Sequence, residues 1–289
     1  MGPEVSTRQL VRYLVKEGYK TACIASALEM SRTYCYELLK ETQPAQPANK
    51  DEDLKSKIKA LCLEFSTYGY RLISAWLRHR FHLKVNRKKV CRLMKEMNLL
   101  VKRPSKHAKR TRKHGKITVT KSNEHFQADM TKVWCGRDGW GYLFAFIDAF
   151  DKEIVGYHFS KTCNTDDMLA ALNMALNYRF PFGVRGHGLI VRTDNGCQMT
   201  SRRFIKSLLT CEITHQRTGY NNPDANAFIE RWFKTLKQDE VWLKEYSDFN
   251  DARANIEAFI KFYNEERLHS AIKYMTPKAF YETFAQKAA

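Results

Sequence analysis

At 289 residues the chain is long enough for two or three domains that each bury a core, which excludes a small protein dependent on disulfides. Its net charge of +18 favours polyanionic partners such as nucleic acid. The eight cysteines form no close pair and the most apolar run, at 142–150, is too short for a bilayer. We therefore expect free thiols, no zinc site, no membrane association and a cytoplasmic, nucleoid-associated protein.

The positive charge is confined to the first part of the chain. Residues 1–122 hold 28 basic and 10 acidic side chains, whereas residues 123–289 hold 21 of each. This division predicts a basic module joined to a neutral module that has a different function. A surface bias without function is the plain alternative.

The amino-terminal segment has the periodicity of three short helices, over 7–17 and 21–40, with Ser31 placed to cap the last of them. Its spacing is that of a helix-turn-helix, in which the helix after Ser31 is available to the major groove. We interpret 1–43 as a helix-turn-helix-like DNA-binding module. A three-helix bundle without DNA contact has the same apolar pattern and stays open.

A second helical module is predicted at 52–100, after a proline-containing linker at 44–51. It contains a helix over 52–65, a helix that YGYR opens at 68–71, and a last helix that Asn86 caps. Apolar residues of the last helix form a core stripe. The basic side chains left for solvent or phosphates are Arg87, Lys88, Arg92 and Lys95, of which the first three are candidate DNA contacts.

The segment 101–122 is predicted to be a basic linker. Its part from 102 to 116 carries eight basic residues and no acidic one, so its self-repulsion favours an extended chain that tracks DNA. A merely solvated linker is the alternative. The candidate DNA-binding residues are Lys102, Arg103, Lys106, Lys109, Arg110, Arg112 and Lys113.

The segment 123–289 changes to an α/β pattern. Three strands come first, joined in part by a hairpin turn at Asp151-Lys152, and strands then alternate with helices. This order predicts a mixed five-stranded sheet flanked by helices. The predicted elements are strands at 125–134, 141–150, 153–160, 188–193 and 211–215, and helices at 165–178, from Ser201 and from Pro223.

Two aspartates fall at informative places in these strands. Asp129 lies within the first strand, on the face that it shares with Gln127 and Thr131. Asp194 follows the strand 188–193 directly, at the carboxyl edge where open α/β sheets place their ligands. As a lone motif, the sequence TDNG could be only a turn.

Glu230 lies on the helix that Asn222 is expected to cap and Pro223 to begin. At 100° per residue it belongs to a narrow polar stripe, opposite a broad apolar face. The stripe consists of Asn226, Glu230, Lys234 and Lys237.

Three carboxylates from two strands and a helix suit Mg²⁺ or Mn²⁺, which prefer oxygen ligands. Two such ions per site would support phosphoryl transfer, with the carboxylates as ligands and not as nucleophiles. The spacing of acidic residues proves little by itself, because the chain contains 31 of them.

The motifs around these carboxylates carry a resemblance. FQADMTKVW, RTDNG and NAFIERWFKTLK, with 35 residues between Asp194 and Glu230, resemble the DDE core of retroviral integrases and insertion-sequence transposases. YGYR, VNRKKVCRLM and the tail YNEERLHSAIKYMTP are similar to the second-frame (OrfB) subunit of the insertion-sequence-three family. The likeness spans roughly residues 52–280. Cys197, Met199 and Ala225 depart from the family pattern.

The resemblance implies a ribonuclease-H-like catalytic core with Asp129, Asp194 and Glu230 as metal ligands and Lys237 as a contact to transposon-end DNA. Lys234 is our own weaker addition. The family cleaves double-stranded DNA at its terminal inverted repeats and joins the new 3′-hydroxyl to target DNA. We expect a homo-oligomer on DNA, since two ends require two active sites, and a first-frame (OrfA) partner.

Other interpretations stay open at this point. A non-catalytic DNA-binding regulator and a ribonuclease-H-like nuclease that cannot join strands would both bind nucleic acid. Arg267, His269 and Tyr274 hint at a tyrosine recombinase, although no second catalytic set accompanies them. Asp148 and Asp151 compete as metal ligands, but their places at a strand end and in a hairpin turn favour structural roles.

Overall fold

The computed structural model describes residues 6–39, 49–101, 119–218 and 226–285. The chain forms two compact units, residues 1–57 and residues 58–289. None of the helices within the described ranges is long and apolar enough to cross a membrane.

The first unit contains the three short amino-terminal helices that the sequence predicts. They are α1 (Thr7–Lys16), α2 (Thr21–Ala27) and α3 (Arg32–Leu39). Ser31 accepts a hydrogen bond from the backbone N–H of Tyr34, 3.1 Å away, and so supplies the expected cap. A small buried core joins the helices: Val11, Ile24, Ala25 and Cys35.

Three further helices follow, again near their predicted places: α4 (Asn49–Glu64), α5 (Tyr70–Phe81) and α6 (Arg87–Glu96). Asn86 caps α6 by accepting the Lys88 backbone N–H at 2.9 Å. Apolar residues at helical spacing on α6 are fully buried, namely Val90, Leu93 and Met94.

The sheet has five strands in the order β3-β2-β1-β4-β5, which confirms the predicted mixed sheet. β1 pairs antiparallel with β2 and parallel with β4. The last strand is present but begins at Thr214, three residues later than predicted, because Glu212 adopts a left-handed φ of 56° after the preceding helix. The strands are β1 (His125–Trp134), β2 (Trp140–Asp148), β3 (Ile154–Ser160), β4 (Ile190–Thr193) and β5 (Thr214–Arg217).

Helices cover both faces of the sheet, so alternate residues of β1 enter different cores. Phe126 and Ala128 pack in the core that includes residues of α7 (Thr165–Arg179). The opposite face packs against α10 (Ala227–Asp239) and α11 (Phe249–Glu265). Asp129 belongs to this second face by the two-residue period of a strand. The other helices are α8 (Cys197–Thr200), α9 (Arg202–Thr210) and α12 (Pro277–Ala285).

The helical segment that precedes the sheet contacts the carboxyl-terminal end of α10. The hydroxyl of Thr67 donates to the carboxylate of Asp239 at 2.6 Å. Arg267 also donates to Asp239, at 3.0 Å, and its guanidinium lies 5.2 Å from the ring centroid of Tyr68. Arg267 therefore has a structural role here.

A buried charged cluster closes the β2–β3 turn, where Asp148 ends its strand and Asp151 lies in the turn, as predicted. Arg179 donates to Glu153 at 2.6 Å and to Asp151 at 3.2 Å, and all three side chains are almost fully buried. The ring centroid of Tyr281 lies 3.7 Å from the guanidinium. These bonds fix the turn beneath α12.

Replacing Arg179 with Met should destabilise the second unit by roughly 3–5 kcal/mol, because it leaves two carboxylates buried without their cation. Urea unfolding followed by tryptophan fluorescence measures this loss. Arg203→Met is the matched control: Arg203 pairs with Asp166 on the surface, so its loss should cost less than about 1 kcal/mol. Equal effects of the two variants would contradict the structural role of the cluster.

The largely buried ring of His269 makes stability depend on pH. Burial, and then the positive charges of Arg267, Lys152 and Arg231, lower the pKa of His269 to about 4. In the unfolded chain a histidine has a pKa near ~6.5. The folded state therefore binds fewer protons between these values, and the stability contribution is complete above about pH 6.5 and is lost as pH falls towards 4.

We expect His269→Asn to lose less stability than the wild type when the pH falls from 7.5 to 5.5. Asn keeps an acceptor for the Ala271 N–H, which bonds Nδ1 of His269 at 3.3 Å, but it does not titrate. The difference should be about 1 kcal/mol by linkage. Urea titrations of both proteins at the two pH values measure it; parallel losses would exclude His269 as the source.

Candidate active site

Asp129 lies in the middle of β1 on the face that packs against α10. Its carboxylate accepts the backbone N–H of Met130 at 2.7 Å. Burial, and then the negative charges of Asp194 and Glu230, raise the pKa of Asp129 to about 7. A half-buried carboxyl group with carboxylate neighbours is an electrostatically unfavourable arrangement that binding sites commonly contain.

Asp194 is brought beside Asp129 by the parallel pairing of their strands. Gln127 of β1 is in register with Arg192 of β4. Two residues further along the chain are Asp129, within β1, and Asp194, which directly follows β4, so continuing this register makes the two aspartates neighbours. Asp194 accepts the Gly196 N–H at 2.9 Å, which turns the chain away from the sheet edge. The sequence TDNG is thus both a turn and part of the candidate site.

Glu230 lies in the first turn of α10, and this turn is tied to β1 by side-chain hydrogen bonds. The buried amide oxygen of Gln127 accepts the N–H groups of Phe228 at 2.9 Å and Ile229 at 3.3 Å. The amide nitrogen of Asn226 donates to the carbonyl of Ala128 at 3.0 Å. These bonds satisfy helix N–H groups that have no partner within the helix.

The beginning of α10 is described only from Asn226 onwards. The α-helix begins at Ala227, with Asn226 as its N-cap. Asn222 and Pro223 lie outside the described residues. Asn226 is buried against β1, so it does not belong to the exposed part of the polar stripe. The apolar face packs inward as predicted, through Ile229, Trp232, Phe233 and Leu236.

Gln127 is the positioning residue that the sequence interpretation missed. The strand periodicity places it only on the same face as Asp129. The available signal was a polar side chain inside a strand of buried residues, because a buried amide requires hydrogen-bond partners. Which partners it has could be learned only from the packing of α10 on the sheet.

The structure brings the three predicted carboxylates and Lys237 into one region. Asp194, Glu230 and Lys237 are all close enough to Asp129 for their charges to shift its pKa. Within the described ranges, however, no group of three or more His, Cys, Asp or Glu side chains is arranged to hold a metal ion. The chemistry of the donors nevertheless fits Mg²⁺ or Mn²⁺, since bound positive charge would relieve the carboxylate repulsion around Asp129.

The predicted DNA-binding residues have different settings. On α10, Lys234 is exposed and Lys237 is half-buried. At the start of α6, Arg87 and Lys88 are exposed, whereas Arg92 forms an ion pair with Glu96 at 2.7 Å. The remaining seven lie outside the described residues: Lys102, Arg103, Lys106, Lys109, Arg110, Arg112 and Lys113.

Comparison with known proteins finds the same two functional parts. Residues 48–107 match the HTH-like domain family, and residues 119–223 and 211–277 match two integrase core domain models. The integrase core is found in a family of polynucleotidyl transferases, which is the enzyme class that these matches indicate. Such a core implies dependence on a divalent metal ion.

Within that class, the chain is homologous to insertion-sequence transposases, which confirms the resemblance and the enzyme class that the motifs indicate. Transposase InsD for insertion element IS2A/D/F/H/I/K of Escherichia coli is 26% identical over 285 residues, with 93% of each chain covered. Transposase InsD for insertion element IS2D of strain K12 gives the same values.

Among solved structures, the catalytic core domain of HTLV-2 integrase in complex with magnesium is 16% identical. The match covers 56% of this chain and 97% of that domain, with a TM-score of 0.43. A BIV integrase core domain is 17% identical, with 58% of this chain and 99% of that domain covered and a TM-score of 0.42.

Gln127→Leu should lower the rate of DNA strand transfer by about 10- to 100-fold, as loss of a group that orients a ligand usually does. Leucine cannot accept the Phe228 and Ile229 N–H groups, so the first turn of α10 would no longer hold Glu230 in place. Rates are measured over a series of Mn²⁺ concentrations, because a positioning defect should raise the concentration required.

Gln127→Glu is the matched variant, since its carboxylate can accept both N–H groups. It should retain more activity than Gln127→Leu at saturating Mn²⁺. If both variants behave like the wild type at every Mn²⁺ concentration, the hydrogen bonds to α10 do not position Glu230 for the reaction.

Proposed function

We propose that Asp129, Asp194 and Glu230 form the catalytic site of this transposase and together bind two Mg²⁺ or Mn²⁺ ions. The observation that carries the proposal is the convergence of three structural elements. The β1–β4 register places the aspartates side by side, and Gln127 ties the helix turn that carries Glu230 to the same strand.

In this proposal the three carboxylates act as ligands and not as nucleophiles. When bound, the metal ions supply an activated attacking oxygen and stabilise the leaving oxygen. Asp129, Asp194 and Glu230 would hold the ions, and Asp129 would do so in its deprotonated form. Lys237, close to Asp129, pairs with a phosphate of the transposon end, and Lys234 with a neighbouring one.

The substrates that fit are the terminal inverted repeats of an insertion sequence and a target duplex. The HTH-like segment presents Arg87, Lys88 and Arg92 to DNA, and the basic residues from Lys102 to Lys113 follow its phosphates. Paired-end joining requires at least two active sites, so we propose a homo-oligomer assembled on DNA, with a first-frame protein as a further partner. These substrates place the protein at the nucleoid.

The domain boundaries of this proposal are those predicted from the sequence. A helix-turn-helix-like module at 1–43 and a second helical module at 52–100 bind DNA. Linkers at 44–51 and 101–122 join the parts, and the catalytic core extends from 123 to 289. A regulator or a nuclease without joining activity has no observation in its favour.

Glu230→Gln should reduce both end cleavage and strand transfer at least about a hundredfold, because a metal ion provides several kcal/mol of transition-state stabilisation. The assay uses labelled transposon-end DNA, a supercoiled target and Mn²⁺, with joined products resolved on a gel. Glu257→Gln is the matched control, since Glu257 is an exposed helix residue paired with Arg253. It should leave joining unchanged.

Joining that survives Glu230→Gln would refute the proposed site. Cleavage without joining by the wild-type protein would favour a nuclease. A covalent protein–DNA adduct would favour a nucleophilic tyrosine, because attack by an activated water or 3′-hydroxyl leaves none.

A further inference from the structure

A cavity of about 570 Å³ opens beside the candidate active site, at the end of β1. Its walls come from the β1–β2 hairpin, the carboxyl-terminal end of α10 and the segment that follows this helix. We call it the tryptophan cavity. Its characteristic side chains are Lys132, Trp134, Trp140, Lys237, Trp242 and Tyr246.

Three tryptophans are unusually exposed in this cavity. The exposed fractions are 55% for Trp134, 45% for Trp140 and 65% for Trp242. The rings of Trp134 and Trp140 meet edge to face, with centroids 5.2 Å apart and planes at 78°. An edge-to-face pair leaves ring faces open, so a flat aromatic ligand can stack on them.

Lysines lie beside the aromatic rings. Nζ of Lys132 lies 4.5 Å from the ring centroid of Trp140, in a cation–π contact. Lys237 lines the same cavity and lies about two turns after Glu230 on α10. Lys244 is engaged with Glu240 at 2.9 Å. Lys132 and Lys237 therefore offer positive charge to a ligand that carries both an aromatic ring and a phosphate.

We propose that the tryptophan cavity binds an unpaired nucleotide of the DNA substrate, with the base stacked on an exposed tryptophan and the phosphate paired with Lys132. Aromatic platforms combined with basic side chains are how proteins bind single-stranded nucleic acid. The volume suits a ligand of nucleotide size and excludes a duplex, in which neighbouring bases cover the faces of each base.

The position of Lys237 defines which nucleotide this is. Since Lys237 lies in the cavity wall and on the same helix as Glu230, the bound nucleotide is close to the phosphate that reacts. Holding an adjacent base out of the duplex would free the strand end to enter the site. Unpairing this base costs free energy, and stacking on a tryptophan offsets that cost. This inference rests on the proposed function, because it takes the transposase's DNA as the ligand.

A purely structural explanation for the tryptophans makes a different prediction. Trp134 and Trp140 are directly opposite each other across β1 and β2, and such aromatic pairs stabilise a hairpin. That role does not require Trp242, which lies in the 3₁₀ turn Val241–Leu243 after α10. It also predicts no preference between unpaired and paired DNA.

The test measures binding of the full chain to two transposon-end duplexes, one blunt and one with a three-nucleotide unpaired end that contains 2-aminopurine. Stacking should quench the aminopurine fluorescence. Trp134→Ala and Trp242→Ala should each weaken binding of the unpaired end about tenfold or more and remove the quenching. Binding of the blunt duplex should change less than about twofold, since it offers no open base face.

The controls separate stacking from loss of folding. Trp134→Phe and Trp242→Phe keep an aromatic face and should retain most of the quenching. Phe182→Ala removes a fully exposed aromatic side chain from another loop and should have no effect. Lys132→Gln leaves all three tryptophans in place and should weaken binding of the unpaired end with a smaller dependence on salt.

The outcomes distinguish this inference from the proposed function. Strand joining without aminopurine quenching would overturn the nucleotide site and leave the catalytic proposal intact. Quenching without joining in the wild-type protein would overturn the catalytic proposal and leave the nucleotide site intact. Equal losses on both duplexes, or altered self-association with unchanged DNA binding, would assign the tryptophans to the hairpin or to a protein interface and overturn the inference.

Discussion

The parallel pairing of β1 with β4 is the constraint on which the candidate site depends. A register fixed by backbone hydrogen bonds places Asp129 beside Asp194, although 64 residue positions separate them in the sequence. Shifting this register by one residue would turn one of the aspartates to the opposite face of the sheet. Apolar residues on both faces of the sheet are buried against helices. A register shift would move them out of these two cores, so the packing opposes it.

The helix α10 extends this constraint from the sheet to the rest of the second unit. Gln127 accepts N–H groups from its first turn, while Thr67 and Arg267 donate to Asp239 at its last residue. Both ends of the helix are therefore held by hydrogen bonds to other elements. Thr67 lies within the residues that match the HTH-like domain. Through Thr67 this segment contacts the helix that carries Glu230 and Lys237.

The buried carboxylates of this protein lie in two opposite electrostatic environments, one beside a cation and one beside other carboxylates. Asp151 and Glu153 share the buried guanidinium of Arg179, which satisfies their charge within the protein. Asp129 has two carboxylates as neighbours, and burial together with these charges raises its pKa. The first arrangement stabilises a turn, whereas the second is favourable only when positive charge is bound. This contrast separates a structural cluster from a candidate site more clearly than sequence spacing does.

The sequence alone determined the elements and the chemistry of the site. Two-residue alternation identified the strand of Asp129, helical periodicity separated the apolar face of α10 from Glu230 and Lys237, and the motifs indicated the enzyme class. These properties are local, so they are readable from neighbouring residues. Only the tertiary structure decided that Asn226 bonds to β1, that Gln127 bonds to the first turn of α10 and that three tryptophans surround one cavity. Each of these depends on contacts between residues far apart in the chain, which no local pattern encodes.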